Sequence, residues 1–417
     1  MSNSNKIKAS SLQMPSDFEA DTNSEGYGIA FDIGTTTVVG MLWNLKSGSH
    51  IESMALANPQ SKYGADVISR ITYCGRDEEH LAELRQCICG CLNEIIANFV
   101  NKHGFNNDDI MRICVCGNTT MSHLFAGYHV MSLALAPFTP AYEGKLTIKG
   151  SESWLNINEN AEVSVIPNIA GHVGGDIVSG LVSVRLLDKT KLTLYIDIGT
   201  NGEIVLVDGD KAFACSTAAG PAFEGAAIQC GMRAADGAIE KVLISEGNVY
   251  FRTIGDCQPT GICGSGIIDA AAQMLQNGII NSKGRMTGSK ELILTDNIKI
   301  TQKDIREIQL AKGAISSGTE ILLKEAGREA SELEEIIIAG AFGSYIDIDS
   351  AIKIGLLPAV KKDIIVCAGN AAGSGVSMAM MSEREMNAAI GIPNMVKHVE
   401  LADRDDFMDI YMKSLLF

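Results

Sequence analysis

Residues 27–37 read YGIAFDIGTTT, and residues 192–203 read LTLYIDIGTNGE. Each is an apolar run of strand character ending in an aspartate, Asp32 or Asp197, then Ile-Gly-Thr, then a second apolar run (VVGMLWNL and IVLV). The pattern predicts a β-hairpin with Asp-x-Gly-Thr at its turn, used twice. Glycine lets backbone approach a polyphosphate closely, and successive N–H groups with threonine hydroxyls donate to anionic oxygens. A carboxylate beside such a turn repels phosphate unless a cation intervenes, which implies Mg²⁺, a metal that favours a carboxylate, waters and substrate phosphates. A single copy reads as readily as an ordinary glycine hairpin. Two copies in matching strand contexts favour a pair of phosphate turns. The aspartates stand 165 residues apart, too far for a short solenoid repeat and about right for a duplicated domain.

A third segment fits the same scheme. Residues 335–339 (EIIIA) form an apolar strand followed by Gly340, Ala341, Phe342 and Gly343, small residues that let a base or ribose rest on backbone. Residues 169–187 and 370–381 are rich in glycine and alanine, and predict two helices able to cross closely at a hinge; ordinary small-residue packing reads the same way. The net charge of −16 and pI near 4.9 argue against nucleic acid and anionic lipid as partners. No apolar run approaches the ~20 residues that span a bilayer. Residues 1–26 are polar, without the apolar core of a signal peptide, and read as a disordered tail on a cytoplasmic protein.

Eleven cysteines should then be reduced thiols. Cys87, Cys89 and Cys91 crowd together, but inside a helix whose apolar stripe runs Leu81, Leu84, Ile88, Leu92, Ile95, Phe99. Cys87 and Cys91 share a face and Cys89 points away, which predicts buried thiols rather than a zinc site or an iron–sulfur cluster.

FDIGTTT, YIDIGTNGE and IIIAGAFG, in that order with glycine-rich helices around them, resemble the ASKHA superfamily of actin, sugar kinases and heat-shock chaperones. The resemblance implies an α/β, duplicated, actin-like (ribonuclease H-like) fold of two lobes with a nucleotide cleft between them. Lobe I would span 27–188, completed by about 371–417, and lobe II 189–370. Longer stretches are similar to the ATPase domain of the reductive activators of corrinoid proteins. They are ANPQSKYGADVISRI (57–71), VCGNTTMSHLFAG (115–127), STAAGPAFEGAAIQCGMRAADGAIE (216–240), GICGSGIIDAAAQML (261–275) and IIIAGAFGSYID (336–347).

That family uses ATP to help return Co(II) corrinoid to Co(I), and its members usually carry an iron–sulfur domain. No such domain is legible here, so the resemblance implies the ATPase part alone. The expected partners are a corrinoid protein of a methyltransferase system and a separate iron–sulfur electron donor, with a homodimer left open. Carried over by residue, Asp32, Gly34, Thr35 and Thr36 form the first phosphate turn, and Asp197, Gly199, Thr200 and Asn201 the second. Asp32 and Asp197 hold Mg²⁺ largely through water, and Asp197 also organises the attacking water. Glu203 either orients that water or is a surface carboxylate. Asp176 is either a second carboxylate near the γ-phosphate or a helix-surface residue, and His172 is structural. Gly220, Glu224, Gly225, Gly264 and Ser265 line the cleft, and Gly340 to Gly343 border adenosine. A small-molecule kinase using Asp176 or Glu224 as base is the main alternative. An ATP-dependent binder or chaperone with negligible hydrolysis is the second.

Overall fold

The computed structural model describes residues 6–7, 12–340 and 345–417. The chain divides into two compact units. The first takes the chain up to Asp188 and Asn370–His398; the second takes Lys189–Gly369 and Val399–Phe417.

In the first unit the strands are β1 (Lys6–Ile7), β2 (Tyr27–Ile33), β3 (Thr37–Asn44), β4 (Ser49–Ala57), β5 (Ile110–Gly117), β6 (Leu146–Lys149) and β7 (Glu162–Val165). They run in the order β1-β4-β3-β2-β5-β7-β6. β2, β3 and β4 are an antiparallel meander, whereas β5 lies parallel to β2 and β7 parallel to β5. Helices α1 (Val67–Cys74), α2 (Glu78–His103), α3 (Thr119–Ala126) and α4 (Gly175–Ser183) complete this part. The α2 stripe is buried as its spacing predicts, in one core with Ile29, Phe31 and Ile33 of β2. Asp77 caps the helix through the amides of Glu79 and His80, and left-handed Gly104 ends it.

The sheet of the second unit repeats this plan. The strands that this unit contributes are β8 (Thr193–Ile198), β9 (Gly202–Asp208), β10 (Lys211–Thr217), β16 (Glu335–Ala339) and β17 (Ile365–Gly369), in the order β17-β16-β8-β9-β10. Again a three-strand meander is followed by two parallel strands. Between β10 and β16 come β11 (Ala238–Ser245), β12 (Asn248–Thr253), β13 (Gly261–Ile262), α5 (Gly264–Gln276), β14 (Glu291–Ile293), β15 (Lys299–Thr301) and α6 (Gln302–Ala326); α7 (Ile348–Lys353) precedes β17. A capping box between Thr301 and Asp304 starts α6.

The chain then returns to the first unit as α8 (Ala371–Met381) and α9 (Glu383–Met395). Asn370 caps α8 through the Gly373 amide, 2.8 Å away. α8 crosses α4 in backbone contact: a Cβ on Gly375 would sit 1.7 Å from the Ser179 carbonyl oxygen. Only glycine fits there, so the close crossing read from the small residues is present.

Three expectations need correction. The helix anticipated over 169–187 begins only at Gly175, because Ala170 and Val173 form a β-bridge and the Asn168 side chain accepts from the Gly175 amide at 3.2 Å. The segment 12–26 is not a free tail. The Gln13 amide donates to Ser374 Oγ (3.0 Å), the Asp21 amide to the Met381 carbonyl (2.7 Å), and Asp21 Oδ2 accepts from the Glu383 amide (2.7 Å). Residues 399–417 fold with the second unit rather than the first. There α10 (Phe407–Ser414) packs on α6, Ile410 joins the core, and Gln309 Nε2 donates to the Leu415 carbonyl at 2.7 Å.

Candidate nucleotide site

In the first unit, Asp32 is the penultimate residue of β2, beside Val39 of β3 and Cys116 of β5. The turn after it closes through the Gly34 amide, which donates to the Thr37 carbonyl at 3.0 Å. A Cβ on Gly34 would lie 2.7 Å from that same oxygen, so the turn excludes larger residues. Three side chains brought from elsewhere hold the turn. Asn58 Nδ2 donates to the Gly34 carbonyl (2.8 Å), and the Asn58 amide donates to the Thr36 carbonyl (2.9 Å). Asn118 Nδ2 donates to Thr35 Oγ1 (2.9 Å) while its own Oδ1 caps α3 through the Met121 amide (3.0 Å). Arg70, fully buried, donates through Nη2 to the Thr35 carbonyl (2.6 Å), through Nε to the Gly64 carbonyl (3.0 Å) and through Nη1 to Gln60 Oε1 (3.3 Å). Burial pulls its guanidinium down to about 10.

Asp176 lies in the first turn of α4 and is drawn to the same place. The Cys116 thiol stands 3.9 Å from Asp32 Oδ1, and the negative charges of both Asp32 and Asp176 raise it far above the ordinary cysteine range, after burial itself. Burial likewise raises the Asp176 carboxyl to about 6. Asp176 itself is half-buried.

The second unit repeats the arrangement with different chemistry. The Gly199 amide donates to the Asn201 carbonyl at 3.0 Å. Asp197 pairs across the hairpin with Glu203, which places two carboxylates on one face of the sheet; Tyr195 donates to Asp197 Oδ2 (3.4 Å) and Ser216 to Glu203 Oε1 (3.3 Å). Glu203 is buried, so the surface reading of it falls away. Gly340 follows the neighbouring strand β16 with φ +88°, and a Cβ there would come within 2.8 Å of Asp197 Oδ1. Ala341, Phe342 and Gly343 lie outside the described residues. Thr200 Oγ1 donates to Glu224 Oε1 at 2.7 Å, which ties the GPAFEG segment to the turn. Gly220 and Gly225 flank that short helix with φ of 74° and 83°. α5, whose first residues are Gly264 and Ser265, packs on it.

Among the described residues no three His, Cys, Asp or Glu side chains are grouped to hold a metal ion. A Mg²⁺ ion beside Asp32 or Asp197 would accordingly take most ligands from water and phosphate, as this ion ordinarily does. Glycines that exclude a Cβ, amides at tight turns and carboxylates at strand ends make a donor set suited to Mg²⁺-polyphosphate. Asn58, Gln60, Arg70 and Asn118 were not singled out from sequence. All four fall inside the long motif stretches, the only signal that could have found them.

The α2 cysteines are buried or half-buried. Cys89, on the other side of the helix from Cys87 and Cys91, is buried as well, and its thiol donates to the Ser153 carbonyl at 3.8 Å. Burial raises Cys89 to about 11 and Cys91 to about 12. His172 packs its ring 4.9 Å from that of Phe138. No helix among the described residues is long and apolar enough to cross a membrane.

Two sheets of matching strand order, each with its Asp-x-Gly-Thr hairpin, define an ASKHA-type nucleotide-binding fold. Residues 191–417 match the family described as the C-terminal ASKHA domain of RACo, and residues 27–189 match the RACo middle region. The chain belongs to this family of corrinoid reductive activators. It is 40% identical to the corrinoid activation enzyme RamQ of Eubacterium limosum, over 94% of this chain and 70% of that protein. It is 27% identical to the [Co(II) methylated amine-specific corrinoid protein] reductase of Methanosarcina barkeri, over 94% of this chain and 77% of that one. A solved structure titled reductive activator for corrinoid, iron–sulfur protein superposes with a TM-score of 0.86 at 37% identity, covering 95% of this chain and 66% of that chain.

Proposed function

We propose that this chain binds Mg²⁺-ATP on its two phosphate turns and couples ATP hydrolysis to the reductive activation, Co(II) to Co(I), of a corrinoid protein. The electron would come from a separate iron–sulfur donor. The observation that carries the nucleotide half is the cross-strand pair Asp197–Glu203, packed against a glycine that admits no side chain. The corrinoid half rests on what the relatives are named for.

Mg²⁺ supplies charge neutralisation at the phosphates when bound. The residues of the chain have separable tasks. Amides of the turns at Gly34–Thr36 and Gly199–Asn201 donate to phosphate oxygens. Asp32 and Asp197 would hold the metal, largely through water. Glu203 would accept a proton from attacking water or orient it, and no covalent nucleophile is required. Arg70, Asn58 and Asn118 keep the first turn rigid, so its donors need no rearrangement on binding.

For a one-electron step, ~59 mV is a tenfold change in equilibrium, about 1.4 kcal/mol. A conformational cycle driven by ATP can bridge a modest potential gap, by as much as the protein's differential affinity for the two states of its partner. The test is an anaerobic visible spectrum of a cognate corrinoid protein mixed with an iron–sulfur donor, this protein and ATP. Co(I) should form faster or further with ATP and the full mixture than without either. Equal Co(I) with and without ATP would reject the reading, and phosphorylation of a supplied polyol or acid would put the kinase in its place.

A further inference from the structure

The second unit carries a groove of about 760 Å³ that shares no residue with its phosphate turn. Three elements wall it. One face of α5 contributes Asp269, Ala272, Gln273 and Gln276, the i, i+3, i+4, i+7 positions of a single helical stripe. The β11–β12 hairpin contributes Leu243, Tyr250 and Phe251, and α7 contributes Ser350 and Lys353.

The groove has an unusual floor. Asp269 is 94% buried, since only 6% of it is exposed; Ser350 and the Val242 backbone serve its carboxyl, yet its Oδ1 makes no hydrogen bond. Every other charged side chain at the groove is engaged. Lys241 faces Asp347 at 3.8 Å, Arg252 Nε meets Glu240 at 2.8 Å, Lys353 Nζ donates to Gln276 at 2.7 Å, and Asp349 pairs with Lys362. Gln273 accepts from the Ile244 amide at 3.1 Å. A buried carboxyl oxygen without a donor is destabilising unless something supplies that donor. Meanwhile the rim exposes large apolar groups where water gains nothing: Leu243 is 54% exposed and Tyr250 55%.

We propose that this groove binds an organic cation, a primary ammonium or guanidinium on an apolar stem, with the nitrogen donating to Asp269 Oδ1 and the stem lying against Leu243, Tyr250 and Phe251. The site lacks one donor and has one carboxyl at its floor, and aromatic rings beside it favour a cation over a neutral amide. A groove of this size is ordinary for a small ligand. An arginine or lysine side chain presented by another protein would bring the same chemistry, and the exposed apolar rim would then add contact area.

The experiment uses the full chain, with ethylguanidine, butylamine and the blocked peptide acetyl-Gly-Leu-Arg-Leu-Gly-amide as probes and N-ethylurea as neutral control. Binding is read by chemical-shift changes or calorimetry. The guanidinium and ammonium probes should bind wild type, N-ethylurea at least tenfold more weakly, and Asp269→Asn should weaken the cations at least tenfold while nucleotide binding is retained. A peptide tenfold tighter than ethylguanidine assigns the cation to a partner protein; equal affinities assign it to a small amine. Tyr250→Ala, a change at an exposed position, provides a second test should Asp269→Asn fail to fold, and should weaken the cations about threefold or more. Failure of the cations to bind wild type, or binding that neither substitution alters, overturns the proposal. Nucleotide hydrolysis and Co(I) formation are read separately, so either reading can fail alone.

Discussion

Replacing Asp176 with Asn should stabilise the first unit at neutral pH. The carboxyl is raised from 3.8 to about 6 because burial disfavours its charge. A group whose folded value lies above its unfolded value binds its proton more tightly when folded. Folding stability therefore falls as pH rises through the window from 3.8 to about 6, and above it the full cost is present. At ~1.4 kcal/mol per unit the cost is on the order of a few kcal/mol at pH 7.5, and most of it is gone at pH 4. Asparagine keeps the shape and removes the charge. Both tryptophans, Trp43 and Trp154, lie in the first unit, so their fluorescence during urea unfolding reports that unit alone. The variant should unfold at higher urea than wild type at pH 7.5, with the two converging at pH 4. A variant equal to or weaker than wild type at pH 7.5 would mean that neighbouring donors stabilise the carboxylate after all. Mg²⁺-ATP should narrow the gap, because a cation near Asp32 and Asp176 offsets the cost that the substitution removes.

Asp197→Asn should retain nucleotide binding within about tenfold yet lose hydrolysis by ~100-fold or more, as measured by phosphate release; unchanged turnover would place the water-organising role elsewhere. Arg70→Lys keeps the charge but cannot serve Thr35, Gly64 and Gln60 together, so it should cost about 2–4 kcal/mol in urea unfolding and weaken nucleotide binding. Gly375→Ala should destabilise by about 3 kcal/mol or more, because its new methyl meets the Ser179 carbonyl. Gly391→Ala in α9, with nothing within 4 Å, should instead gain ~0.5–1 kcal/mol, and thermal unfolding distinguishes the pair.

Strand, carboxylate and turn are contiguous in sequence, so both hairpins could be read directly from residues 27–44 and 192–207. The pairing of Asp197 with Glu203 follows from the same local register. What local reasoning could not supply was the support brought from a distance. Asn58 and Asn118 reach the first turn only because β4 and β5 lie in one sheet with β2, and Arg70 only because α1 buries the face that carries Arg70, Ile71 and Cys74. Periodicity marked the buried stripe of α2 but not the second surface over Cys89, since a helix covered on two sides no longer separates its faces cleanly. Residues 169–173 carried helix-compatible glycine and alanine, yet a bridge and a side-chain hydrogen bond claimed their backbone first. Nothing local in residues 399–417 indicates which core Ile410 joins.

The cover that α8 provides for β2 and β5 has a consequence for synthesis. Every residue from Ala371 to Met381 is buried, and Met380 presses against Gly28 near the start of the first hairpin. As the chain leaves the ribosome, the first 188 residues emerge long before their lid does. At ~5–20 residues per second, the sheet built on β2 waits on the order of ten seconds or more with that face uncovered. Nascent chains of this protein are thus exposed to off-pathway association and holdase capture until about residue 381 has been made, and truncations short of that point should be recovered as aggregates.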